Sequence, residues 1–232
     1  MHCGYHRGGT TWFNNVLNGV AECFGLRYQN CEQHQLERDT EIYLQNDSNV
    51  DLGTLRAHVG SHMVRDPRDL IVSGYFFHLW TDESWAHVPR PEYAGKSYQE
   101  HLNGLDQHAG LLAEIRRTGP NILRMLEWDF DNPAFIELRY EDMIADEEKG
   151  FREIFAHYGF SAPAIERSMS VVRQHSFRRV TQRNVGEDRA KSHLRSGKPG
   201  QWQDLLTEEH RALFKDLYGD ALERLGYAGD GW

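Results

Sequence analysis

Tyr5-His6-Arg7-Gly8-Gly9-Thr10-Thr11-Trp12 stands between a short apolar start, Met1 to Tyr5, and a stretch with helical periodicity that begins near Thr10. Two adjacent glycines let a backbone approach an anion closely, and the exposed N–H groups and positive end of a following helix supply neutralising partial charge. Arg7 and the hydroxyls of Thr10 and Thr11 complete the donor set of a phosphate cradle. The same octapeptide also reads as an ordinary strand-to-helix turn, since short motifs of this kind recur without a ligand. It is not a Walker A loop, in which lysine follows the second glycine and a magnesium-binding hydroxyl comes next. Here the basic residue precedes the glycines, an order that suits a terminal phosphate without demanding a metal.

Working outward, apolar patterning predicts strands at 2–5, 41–45, 60–64 and 134–139. Helices are predicted at 10–23, 53–58, 67–80, 97–117, 147–158, 163–173 and 207–224. Strands alternating with helices imply an α/β fold, a parallel sheet covered by helices, whose ligands collect at the carboxyl ends of the strands. The loop after the first strand, Arg65 at the end of His62-Met63-Val64, and Tyr140 after the strand at 134–139 then share one rim. Thr81 to Lys96, with Trp85, Pro89, Pro91 and Gly95, is the stretch expected to be a mobile loop, one suited to an acceptor pocket.

With 232 residues, 39% of them hydrophobic, the chain is expected to form a single domain, 1–232, around one sizeable core. A net charge of −9 argues against a broad nucleic-acid-binding surface while leaving room for a local basic pocket. Cys3, Cys23 and Cys31 are odd in number and lack zinc-like spacing, so free thiols in a reducing cytoplasm are the expectation. No apolar run approaches the roughly 18 residues of a membrane span, and no signal peptide is legible, so neither a membrane nor a nucleic acid is an expected partner.

A second segment, Arg65-Asp66-Pro67-Arg68-Asp69-Leu70-Ile71-Val72-Ser73-Gly74-Tyr75, places Pro67 at a helix start and Leu70, Ile71 and Gly74 on an apolar face. By itself it reads as a salt-bridged start to a core helix. Together with the first loop, however, it resembles the sulfotransferases that use 3′-phosphoadenosine 5′-phosphosulfate (PAPS), and specifically their soluble, cytosolic and bacterial branch. The first loop is similar to that family's Y-P-K-S-G-T-T-W, with His6 for proline and Arg7 for lysine. The second is similar to R-[DN]-P-[RK]-D-x-x-V-S-x-Y, and the resemblance implies that Arg65 and Ser73 hold the 3′-phosphate. Arginine suits that task because its planar fork donates two parallel charge-assisted bonds to one phosphate.

Three further matches follow in the family's order. Arg195-Ser196-Gly197-Lys198-Pro199-Gly200-Gln201-Trp202 is similar to R-K-G-x-x-G-x-W, which implies that Arg195, Ser196 and Gly197 close over the 3′-phosphate, with Ser196 where lysine is usual. Tyr140-Glu141-Asp142-Met143 resembles Y-E-D-[LM], with an adenine-contacting tyrosine, and Ser176-Phe177 with Asn184 resembles S-F-x-x-M-x-x-N. Trp12 and Phe177 are the implied aromatic faces for adenine, although either residue type also serves as ordinary core.

The resemblance thus implies a P-loop-like sulfotransferase fold and transfer of a sulfuryl group from PAPS to a hydroxyl or amine of a small-molecule acceptor. The product is adenosine 3′,5′-bisphosphate (PAP), and no metal is required. Arg7, Gly8, Gly9, Thr10, Thr11 and Trp12 are the implied 5′ site. The family's T-H-L-P context for a catalytic histidine does not occur. Asp47, in Tyr43-Leu44-Gln45-Asn46-Asp47-Ser48, lies nearest that position and reads equally well as a turn residue, while His78 is the alternative base. A non-catalytic nucleotide sensor and a kinase-like phosphotransferase stay open as alternative functions, as does the oligomeric state.

Overall fold

The computed structural model describes residues 1–176, 197–229 and 232. Among the described residues five strands form an all-parallel sheet in the order β2-β3-β1-β4-β5, comprising His2–Cys3 (β1), Tyr28–Asn30 (β2), Ile42–Gln45 (β3), Gly60–Val64 (β4) and Phe135–Arg139 (β5). The central parallel sheet with helices between strands is the architecture expected. β2 was not foreseen, because Tyr-Gln-Asn at a sheet edge carries no apolar alternation. The strand expected at 2–5 is shorter, because Gly4 already leaves the ladder, donating its N–H to Gln45 O at 3.1 Å.

The chain first runs from β1 to β2 and β3 on one side, then to β4 and β5 on the other. Such a reversal opens a crevice at the carboxyl ends of the central strands, which is where ligands of open α/β sheets bind.

By contact, the chain divides into two compact units. The first holds Met1–Arg65 and the described residues from Glu127 to Ser176, with the whole sheet. Its helices are α1 (Thr10–Phe24), α5 (Tyr140–Ala145), α6 (Glu147–His157) and α7 (Ala162–His175). On α1 the buried residues Trp12, Phe13, Val16, Leu17, Val20 and Ala21 recur at helical spacing. They pack with Leu44, Met63 and Leu138 of the strands, Phe151, Ile154 and Phe155 of α6, and Met169 and Val172 of α7. α1 ends at Gly25, whose left-handed φ of 69° lets its N–H reach the carbonyls of Ala21 and Glu22.

The second unit holds Asp66–Leu126 and the described residues from Gly197 on. Its helices are α2 (Pro67–His78), α3 (Tyr98–Asn103), α4 (Gln107–Glu127, whose last residue falls in the first unit), α8 (Trp202–Leu205), α9 (Glu208–Tyr218) and α10 (Ala221–Arg224). The helix expected at 97–117 is two. Gly104 ends the first, and Asp106 accepts the Ala109 N–H at 2.8 Å to open the second. α4 then continues through Thr118-Gly119-Pro120, a sequence that reads as a breaker, because Ile122 and Met125 beyond it are fully buried. Gly119 matters there, since a Cβ would lie 2.8 Å from the Tyr218 hydroxyl of α9.

Two other expectations are corrected. The helix at 53–58 is a single 3-10 turn, Leu52–Thr54, opened by Asp51 accepting from Gly53 N–H. The helix at 207–224 breaks at Gly219, whose φ of 56° interrupts the ladder. Thr81 to Lys96 contains two 3-10 turns, Ser84–His87 and Pro91–Tyr93.

Candidate functional site

The turn after β1 is tight. Gly8 N–H donates to Tyr5 O at 2.7 Å, and Arg7 takes a left-handed φ of 65°, unusual for a residue with a side chain. Both glycines are required. A Cβ at Gly8 would fall 2.9 Å from Tyr5 O, and one at Gly9, where φ is 95°, 2.9 Å from Met63 Cε. Gly9 caps α1 without any side-chain hydrogen bond, and the first turn of α1 contains no acidic residue. Among the described residues the helix therefore begins with N–H donors that no side chain caps and positive partial charge that no first-turn acid offsets, at the sheet's carboxyl rim.

Arg65, at the end of β4, donates from Nη1 to Arg7 O at 2.9 Å, and its guanidinium lies 4.4 Å from the centroid of the Tyr140 ring. Tyr140 opens α5 directly after β5 and packs beside Gly9. Arg7, Gly8, Gly9, Arg65 and Tyr140 are thus brought together, as their strands' order on the sheet requires. Trp12 is 8% exposed, edge-on to Phe13 and Phe151, and its indole N–H has no acceptor among the described residues.

Asp47 follows β3 on the same rim. Its neighbour Ser48, at φ 50°, donates its hydroxyl to Gly4 O at 2.9 Å, tying this turn to the start of the glycine loop. The Asp47 backbone N–H is held by Gln45 Oε1 at 2.8 Å.

In the second unit, Ser73 is half-buried on α2. His78 lies five residues on, about 140° around the helix from it. Its Nδ1 is 2.9 Å from Glu114 Oε2, which also accepts the Tyr98 hydroxyl at 2.7 Å, and Trp85 packs edge-on at 5.0 Å. Gly197 has a left-handed φ of 64°. Phe177, Arg195 and Ser196 lie outside the described residues.

Sequence reasoning missed what Arg68 and Asp69 do. Asp69 is 1% exposed, and its two carboxylate oxygens accept the N–H groups of Gly200, at 2.6 Å, and Trp202, at 3.2 Å. Arg68 pairs with Asp66 through Nε and Nη2, donates to Tyr227 O, and lies 3.6 Å from the centroid of a Trp202 ring. The salt-bridged helix start is therefore real, and it also holds the segment around Trp202. Signals for this were the Arg-Asp-Pro-Arg-Asp run and the distant tryptophan, but nothing local joins them.

A cavity of about 1160 Å³ lies elsewhere in the first unit, beside the amino ends of β1, β3 and β4, and is lined by residues such as Leu17, Ile42, Arg56, Val59 and Phe155. This is the rim opposite the glycine loop, away from the carboxyl ends where ligands of open α/β sheets collect.

A switch-point parallel sheet with a glycine loop, an uncapped helix start and a buried arginine on its carboxyl rim is an α/β arrangement whose geometry suits an anionic group. A family model described as sulfotransferase domain matches residues 62–226, and the chain belongs to that family. Mouse sulfotransferase 2A2 is 27% identical over 170 residues, covering 69% of this chain and 55% of the relative. Mouse sulfotransferase 2A1 is 26% identical with the same coverage. The chain thus spans about 55% of the length of these curated relatives. Among solved structures, mouse sulfotransferase SULT7A1 complexed with PAP superposes with a TM-score of 0.62 at 16% identity, over 98% of this chain and 88% of that one. Retinol dehydratase in a complex with retinol and PAP gives 0.55 at 14%, over 96% and 80%. These establish the fold. The family match begins at His62, so the glycine loop lies outside it. No helix among the described residues is long and apolar enough to cross a membrane.

Proposed function

We propose that this protein transfers a sulfuryl group from PAPS to a hydroxyl or amine of a small-molecule acceptor and releases PAP. The observation that carries this reading is the convergence of Arg7, the Gly8-Gly9 turn, Arg65 and Tyr140 around the uncapped start of α1. That donor set suits a nucleotide carrying two phosphate groups, and PAP in the structures of SULT7A1 and retinol dehydratase supports the same ligand class. Retinol and androsterone, held by retinol dehydratase, support a small organic acceptor. The cytoplasmic setting expected from the sequence belongs to this proposal too.

In this reading Arg7, the N–H groups of the α1 start, and Thr10 or Thr11 take up the charge that grows on the leaving 5′-phosphate as the S–O bond breaks. Donors fixed before reaction need no reorganisation, which is why such preorganisation often dominates transfer chemistry. Arg65 serves the 3′-phosphate, and Tyr140 and Trp12 the adenine. The roles that the resemblance implies for Ser73, Phe177, Arg195, Ser196 and Gly197 are part of the same proposal. Asp47 is the better supported base, because Ser48 ties its turn to Gly4. His78, whose Nδ1 lies 2.9 Å from Glu114, is the alternative. The kinase-like alternative gains no support, since no lysine follows Gly9.

Thermal denaturation with added nucleotides tests the reading directly. PAP at a hundred times its dissociation constant is expected to stabilise the protein by about 2.7 kcal/mol, with magnesium and ATP doing far less. Greater stabilisation by ATP would refute it. Turnover of labelled PAPS across phenols, alcohols and amines then identifies the acceptor.

A further inference from the structure

On the sheet face that carries Cys3, His62 and Glu137 in register, a hydrogen-bonded chain runs to the first residue of the glycine loop. Tyr5 and His62 are both fully buried, and the Tyr5 hydroxyl lies 2.9 Å from His62 Nε2. His62 Nδ1 lies 2.6 Å from Glu137 Oε2, and Glu137 Oε1 accepts the Trp128 indole N–H at 3.0 Å. The His62 ring is stacked on Trp128 at 4.0 Å and is edge-on to Phe130 at 5.7 Å, so it is fixed in two directions.

We infer that Glu137 and His62 are positioning residues for the phosphate-cradling loop, acting through the Tyr5 hydroxyl. This inference rests on the nucleotide site proposed above. The polarity of the chain is determined at its outer end, because an ionised carboxylate only accepts. Nδ1–H therefore donates to Glu137, Nε2 is left as an acceptor, and the Tyr5 hydroxyl donates to it. Tyr5 in turn supplies the carbonyl that closes the turn on Gly8 N–H at 2.7 Å. A ring anchored at its hydroxyl leaves that carbonyl little freedom, so the loop's N–H groups and Arg7 hold their directions before a ligand arrives. Packing alone would be served by phenylalanine at position 5. A buried hydroxyl in a fully satisfied polar chain instead fixes one orientation.

Calorimetric titration of wild type, Tyr5→Phe and Glu137→Gln with two ligands, PAP and adenosine 3′-monophosphate, tests this. The second ligand lacks the 5′-phosphate that the loop would hold. Tyr5→Phe is expected to weaken PAP about tenfold, the size of one net buried hydrogen bond, and Glu137→Gln by a smaller factor, while adenosine 3′-monophosphate changes less than about twofold. Circular dichroism checks that each variant is folded, which the near-isosteric changes favour. Unchanged PAP affinity in Tyr5→Phe would overturn the inference. Equal weakening of both ligands would also overturn it, since a merely loosened fold does that. If wild type itself does not bind PAP, the nucleotide reading fails first.

Discussion

Arg7 is where backbone and chemistry meet most sharply. Its left-handed φ is a conformation that glycine adopts at little cost, yet arginine stands there between Tyr5 and the glycine pair. In the proposed reaction its guanidinium neutralises the leaving phosphate, so truncation removes a donor whose benefit grows in the transition state. Arg7→Ala is expected to cut turnover of PAPS about a hundredfold to a thousandfold, as for other preorganised donors, and to leave the melting temperature nearly unchanged because alanine meets the same φ. Turnover within a few-fold of wild type would take Arg7 out of this role. At this scale the sequence was most legible on the rim. Arg7, Gly8 and Gly9 were named from a local pattern and Arg65 and Tyr140 from a family resemblance, and the structure brings them together because their segments follow β1, β4 and β5, which are neighbours in the sheet. Glu114 and Glu137 were not foreseen, since a lone glutamate becomes informative only when the fold brings it to a histidine.

Elements were legible where periodicity was long and obscure where tertiary contact overrode it. α1 and β4 were readable nearly to the residue, whereas α4 runs through Gly119 and Pro120 because burial beyond them compensates for the lost backbone bond. The start of α2 illustrates coupling between elements. Asp66 caps the helix, while Asp69, one turn in, turns both oxygens to the N–H groups of Gly200 and Trp202 at the start of α8. A buried carboxylate accepting two backbone donors is costly to replace, since an amide at the same place sets N–H against N–H. Asp69→Asn is expected to lower the free energy of unfolding by about 1–3 kcal/mol. Urea denaturation measures it, and an unmoved midpoint would show that the Asp69 contacts carry no net stability.

Across the whole molecule, the same burial that fixes polar groups makes stability depend on pH. Burial holds the imidazole of His2 well below its ordinary range, a proton on neighbouring His62 would lower it further, and burial lowers His62 despite the opposing pull of Glu137. Burial also lowers His210, against a hydrogen bond to the His108 carbonyl. These three rings are neutral in the fold, while in the unfolded chain they take up protons near their ordinary pKa of about 6.5. The unfolded state then binds more protons, so their contribution is fully present above about pH 6.5 and is lost as pH falls below it. Glu147 acts in the opposite sense. Burial, with Glu148 adding, pushes its carboxyl up to about 7, so its cost is present above that pH and is relieved on acidification. The Glu147 carboxyl is only half-buried, so water screens its opposing contribution. The melting temperature is therefore expected to fall from pH 7 to pH 5, and the ring resonance of His2 in NMR spectra of the folded protein is expected to stay at its neutral position throughout. A melting temperature that is flat or rises over that interval would mean that these rings gain compensation on protonation, and that the chain from Glu137 to Tyr5 accepts a proton without disturbing the fold.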